Sequence, residues 1–93
     1  MELEINWEKI ESQDSFYELF LSKISAPEWH GRNLDALSDS VVAGGVVKAG
    51  SPFCIKHLNC SKSPKSIRQF QAAVISIFTE SIIENGGKQV VQA

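Results

Sequence analysis

A basic leader, a long apolar run and a recognisable cysteine pattern are all missing from this chain of 93 residues. The first residues, Met1-Glu2-Leu3-Glu4-Ile5-Asn6, are acidic where a secretory leader is basic, so a cytoplasmic protein is expected. Nowhere do about 18 apolar residues follow one another, which excludes a spanning helix and any membrane partner that would need one. The two cysteines, Cys54 and Cys60, have the spacing of neither a Cys-x-x-Cys redox pair nor a zinc knuckle. Two reduced, half-buried thiols are expected. Excess positive charge is absent too: 9 Lys and Arg face 11 Asp and Glu, a formal net charge of −2, which speaks against direct nucleic-acid binding. Neither His30 nor His57 stands beside a serine or cysteine at a spacing that makes a nucleophile, so both are expected to be structural and the protein is not expected to be an enzyme.

What is present is an ordinary folding sequence. Hydrophobic residues make up 43% and are well spread, which argues against disorder. The length suits one domain over residues 1–93. The few charges are unevenly divided. Residues 1–46 hold nine acids against three bases, −6, and residues 47–93 hold six bases against two acids, +4. Such a division gives the molecule a directed field.

Leu3 and Ile5 alternate with Glu2, Glu4 and Asn6, the period of a half-buried strand. Ser12 offers an N-cap, and Ser15 with Glu18 a capping box. Phe16, Leu19, Phe20 and Ile24 then predict a helix over 13–24, ended by Pro27. Asn33 is a second N-cap, and Leu34, Leu37 and Val41 predict a short helix over 34–42 that Gly44-Gly45 stops. Ala49-Gly50-Ser51-Pro52 is turn chemistry, and residues 53–58 read as a strand. Ser63 and Pro64 suit the start of a long helix carrying Phe70, Val74, Ile77, Phe78 and Ile82, with Gly86 as its stop. A closing strand is expected over 88–92. Strands separated by helices imply crossovers, hence an α/β fold with a three-stranded, mainly parallel sheet packed with three to four helices.

On the second helix Leu34, Leu37 and Val41 share one side, while Asp35 and Asp39 point roughly opposite, about 40° apart. Like charges four residues apart weaken a helix by a few tenths of a kcal/mol. Asp35 gains from the helix dipole, Asp39 does not, and no lysine or arginine within the helix offsets them. This pair is a candidate for meeting positive charge on a partner; a solvated acidic face is the alternative. Glu28, His30, Asp35 and Asp39 are also of the right types for a divalent ion, as a metal-assisted hydrolase would need. Their spacing matches no ligand pattern, so no metal and no cofactor are expected.

The run from Ala26 to Ser40, Ala-Pro-Glu-Trp-His-Gly-Arg-Asn-Leu-Asp-Ala-Leu-Ser-Asp-Ser, resembles the signature of the barstar family of ribonuclease inhibitors. Pro27, Glu28, Gly31, Asn33, Leu34, Asp35, Ala36, Leu37 and Asp39 match its pattern, and Phe78-Thr79-Glu80 resembles a later Phe-x-Glu segment. The resemblance implies an intracellular inhibitor, or immunity protein, for a barnase-like or toxin ribonuclease, acting as a monomer in a 1:1 complex. It implies that Asp39 enters the enzyme's phosphate pocket and that Asp35 meets neighbouring donors. Trp29 would pack on the enzyme, and Glu80 would add a peripheral ion pair. His30, Gly31, Asn33 and Ser38 complete the implied contact segment. Departures from the pattern are Ser38 and His30 in place of aromatics, the positive charge of Arg32, and Gly44-Gly45-Val46 where the family has a glycine–tryptophan edge. A regulatory module for some other basic protein is the alternative function.

Overall fold

In the computed structural model, residues 2–23, 31–42 and 53–93 are described. Strand β1, Glu2–Asn6, shows the expected alternation, with Leu3 and Ile5 buried and Glu2 and Glu4 exposed. The Asn6 side chain accepts the Glu8 N–H at 3.2 Å and starts a 3₁₀ turn over Trp7–Lys9, which the sequence pattern does not announce.

Helix α1 spans Gln13–Lys23. Its capping box differs from the expected pairing of Ser15 with Glu18. The Ser12 hydroxyl accepts the Ser15 N–H at 3.1 Å, and the Ser15 hydroxyl accepts the Ser12 N–H at 3.1 Å. Ser12 is the cap, so the reciprocal position three residues on is Ser15, and Glu18 lies a turn too far along. The expected last residue Ile24 and the terminator Pro27 lie outside the described residues.

Helix α2, Leu34–Val41, and strand β2, Phe53–Leu58, fall where the pattern puts them. The Gly44-Gly45 stop and the turn ending at Pro52 lie outside the described residues. After β2 the chain makes a 3₁₀ turn over Cys60–Lys62 and another over Lys65–Ile67, then enters helix α3, Arg68–Asn85. Ser63 is not the N-cap of this helix. Its hydroxyl donates to Gln71 Oε1 at 2.6 Å, and the two polar groups satisfy each other in the core. Gly86 ends α3 at φ +82°, with its N–H on the Ile82 carbonyl at 2.8 Å, a conformation that strains any other residue. Strand β3 follows at Gly87–Val91, one residue earlier than expected. Cys54 and Cys60 are free and partly buried.

The three strands form one parallel sheet in the order β1-β2-β3. Leu3, Ile55 and Gln89 share one row, and Ile5, His57 and Val91 the next. The architecture is the expected α/β arrangement, with three α-helices and parallel ladders among the described residues. No helix among the described residues is long and apolar enough to cross a membrane.

Beneath the sheet lies a column of rings. Phe20 stacks on Phe16 at 5.8 Å and 4°, Phe16 on Trp7 at 5.6 Å and 5°, and Trp7 on His57 at 6.1 Å and 21°. Phe70 meets Trp7, Phe16 and Tyr17 edge-on, the favoured alternative to stacking. A polar chain runs through this apolar column. The Trp7 indole, a donor only, gives its proton to His57 Nδ1 at 3.0 Å. That leaves the His57 proton on Nε2, where it is donated to Gln89 Oε1 at 2.8 Å. Gln89 Nε2 donates in turn to Thr79 Oγ1 at 2.7 Å. Four elements are thereby tied together through one neutral imidazole.

Burial pushes the His57 pKa below its ordinary value of 6.5, opposed by the Gln89 hydrogen bond. The unfolded chain therefore binds the proton more readily than the folded one, and the stabilisation present above about pH 6.5 is lost as the pH falls towards the folded pKa. Urea unfolding monitored by tryptophan fluorescence should show a lower midpoint at about pH 5.5 than at about pH 7.5, and His57→Gln should remove most of that difference. The Tyr17 hydroxyl is buried with no hydrogen-bond partner among the described residues, and burial pushes its pKa up to about 12. Since an unsatisfied buried donor is costly, Tyr17→Phe should stabilise the fold by about 1 kcal/mol, read as a higher thermal midpoint.

Candidate functional site

The candidate site is a helix held at both ends with its acidic side left outward. At the start, Asn33 is extended at φ −152° and ψ 167°, and its Oδ1 accepts the Ala36 N–H at 2.8 Å. The Asn33 carbonyl accepts the Leu37 N–H at 3.0 Å. Gly31 approaches this first turn closely. A Cβ there would stand 3.0 Å from Asn33 Nδ2 and 3.1 Å from the Ala36 methyl group, so a larger residue would press on the cap.

At the other end the last carbonyls of α2 are taken by α3. Ser81 Oγ donates to the Val41 carbonyl at 2.6 Å, and Asn85 Nδ2 donates to those of Val41 and Val42 at 3.2 and 3.1 Å. A helix end carries unpaired carbonyls, and here a neighbouring helix pairs them. Between the two ends Leu37 and Val41 are 0% exposed and Leu34 packs against the core from its margin.

With that side buried, Asp35 and Asp39 are exposed, as the helical spacing requires. Ser38 is half-buried between them. The ion pairs among the described residues are Arg32 with Asp14 at 3.0 Å and Lys62 with Glu8 at 3.9 Å. Neither Asp35 nor Asp39 is neutralised by a base of its own chain among those residues. Arg32, which departs from the resembled pattern, turns to Asp14 in the first turn of α1.

Glu80 is exposed on α3, next to Ser81 and so beside the point where α3 grips α2. Gly31, Asn33, Asp35, Ser38 and Asp39 lie on or just before α2. Trp29 and His30, together with Glu28, lie outside the described residues. Among those residues no group of three or more His, Cys, Asp and Glu is arranged to hold a metal ion. The basic side chains Lys56, Lys62, Lys65 and Arg68 are exposed, and Arg68 donates to the carbonyls of Ser61 and Ser63.

A concave region of about 510 Å³ lies on the outer face of the sheet, lined by Glu4, Lys56 and Lys88 among others, and no residue of α2 borders it. Among the described residues α2 thus presents an exposed, capped surface whose carboxylates no base of the chain answers.

Three residues that matter here escape a reading of the sequence. Ser81 and Asn85 act on Val41 of α2 from 40 and 44 positions away, and nothing local marks a mid-helix serine or a terminal asparagine for that task. Asp14 looks like a helix N-terminal acid and nothing more. Replacing Asn33 by Ala should cost about 1 kcal/mol of stability in urea unfolding, because it strips the cap from α2.

A family model described as Barstar (barnase inhibitor) matches residues 1–91. No curated protein matches the chain.

Proposed function

The chain belongs to the barstar family, a family of inhibitors and not of enzymes, and on that basis we propose that it blocks a barnase-like or toxin ribonuclease by inserting acidic side chains of α2 into the active site. The observation that carries this reading is the exposed Asp35 and Asp39 pair on a helix fixed at both ends, with no base of the chain answering it among the described residues. A ribonuclease must present cationic groups to hold phosphate, and a carboxylate competes for them through charge-assisted hydrogen bonds. Asp39 takes the phosphate pocket and Asp35 the donors next to it. Glu80, beside the α2–α3 junction, adds a pair at the rim, and Ser38 narrows the contact where a larger ring would widen it.

Trp29 supplies the apolar anchor that interfaces of this kind concentrate at their centre, and His30 flanks it. Gly31 and Asn33 contribute by fixing the first turn. The protein acts as one barstar-like domain over residues 1–93, as a cytoplasmic monomer in a 1:1 complex, in the manner of an immunity protein that protects its own cell's RNA. No cofactor or metal enters the reading.

Fixed helices favour tight binding because little freedom is lost on association. RNA cleavage by barnase-type and toxin ribonucleases should be suppressed by stoichiometric protein. Asp39→Ala should raise the dissociation constant roughly thirtyfold, about 2 kcal/mol, more than any other single truncation. Absence of inhibition and of any complex across such enzymes would favour a regulatory role towards another basic protein instead.

A further inference from the structure

Arg32 is the one base among residues 31–42, and it stands two residues before the start of the acidic helix. Its guanidinium Nη1 lies 3.0 Å from Asp14 Oδ1, eighteen residues back in the first turn of α1. The next carboxylate along the chain is Asp35, three residues on. A guanidinium offers a planar fork that readily grips a carboxylate, so an Arg32 without Asp14 has Asp35 within its sequence neighbourhood as an alternative acceptor. Capture there would neutralise half of the acidic pair. It would also place a positive charge against any cationic cavity that approaches, and like-charge contact opposes binding.

We infer that Asp14 is a positioning residue for partner binding: it holds Arg32 on the α1 side and so keeps the Asp35–Asp39 surface available to a basic partner. This rests on the proposed inhibitory role of that surface. Asp14 is well placed for the task. It sits in the first turn of α1, where the helix dipole favours a carboxylate, and the Ser12–Ser15 capping box fixes that turn. The pair itself is exposed, 48% for the Arg32 side chain and 73% for that of Asp14, so its worth to stability is small. Its effect falls on the charge that a partner meets.

The test is a double-mutant cycle, with affinity for a barnase-type ribonuclease measured by calorimetry at low and physiological salt. Asp14→Asn should weaken binding about threefold to fivefold, an effect that fades with salt. Arg32→Gln should leave affinity unchanged or improve it. In the Arg32→Gln background, Asp14→Asn should have no further effect, and Asp14→Glu should bind as the wild type does. A structural role, or a mere loss of negative charge, would instead make Asp14→Asn equally harmful with and without Arg32. That additivity overturns the inference. So does an Asp14→Asn variant that binds like the wild type, as would follow if Glu18 took up Arg32 instead.

If the wild type binds no ribonuclease, the inhibitory role fails. The same cycle is then read with an oligo-arginine peptide as the cationic probe, following the amide NMR signals of Asp35 and Asp39. Weaker binding by Asp14→Asn, rescued by Arg32→Gln, upholds the positioning role there, and no rescue refutes it.

Discussion

The burial of Leu37 and Val41 sets the direction of everything that α2 displays. Both side chains are wholly withdrawn from water, and on a helix the angular offset between residues is fixed. Once they point into the core, Asp35 and Asp39 have no choice but to point out. The acidic pair is therefore a consequence of core packing. It needs no dedicated scaffold, and it resists rotation as firmly as the core resists losing two aliphatic side chains.

The core that receives them combines apolar and polar contacts. Trp7, Phe16 and Phe20 stack as a column, and the same Trp7 passes its indole proton to a buried imidazole. Through Gln89 and Thr79 that imidazole reaches both β3 and α3. Helix α3 in turn holds the end of α2 through Ser81 and Asn85. Packing and hydrogen bonding thus form one continuous support from the middle of the sheet to the exposed surface. A buried polar network of this kind is stabilising only while each member is satisfied.

Much of this was legible in the residues. Period-two alternation placed β1, and the N-cap Asn33 with its apolar spacing placed α2, because those signals are local and act within a few residues of where they are read. The density of family-like residues from Pro27 to Asp39 pointed to the matching family. Less accessible were features in which distant residues compete for the same atoms. Ser63 has the sequence of an N-cap, but Gln71 claims its hydroxyl. Ser15 reads as the opening of a capping box and serves instead as its far end. The 3₁₀ turn at Trp7 has no periodic signature at all, being only three residues long. Arg32 looks in the sequence like an intrusion into an acidic segment; only the fold brings Asp14 beside it.

The attachment of α2 to α3 also has a bearing on synthesis. The carbonyls at the end of α2 wait for Ser81 and Asn85, and β1 waits for β2 before it can form a parallel ladder. Contacts so distant along the chain close late, after the intervening loop entropy has been overcome. A nascent polypeptide still short of Asn85 has the acidic residues but not the grip that aims them. The aspartate pair is thus displayed in its aimed form only by chains synthesised past Asn85, however much of the α2 sequence has already been made.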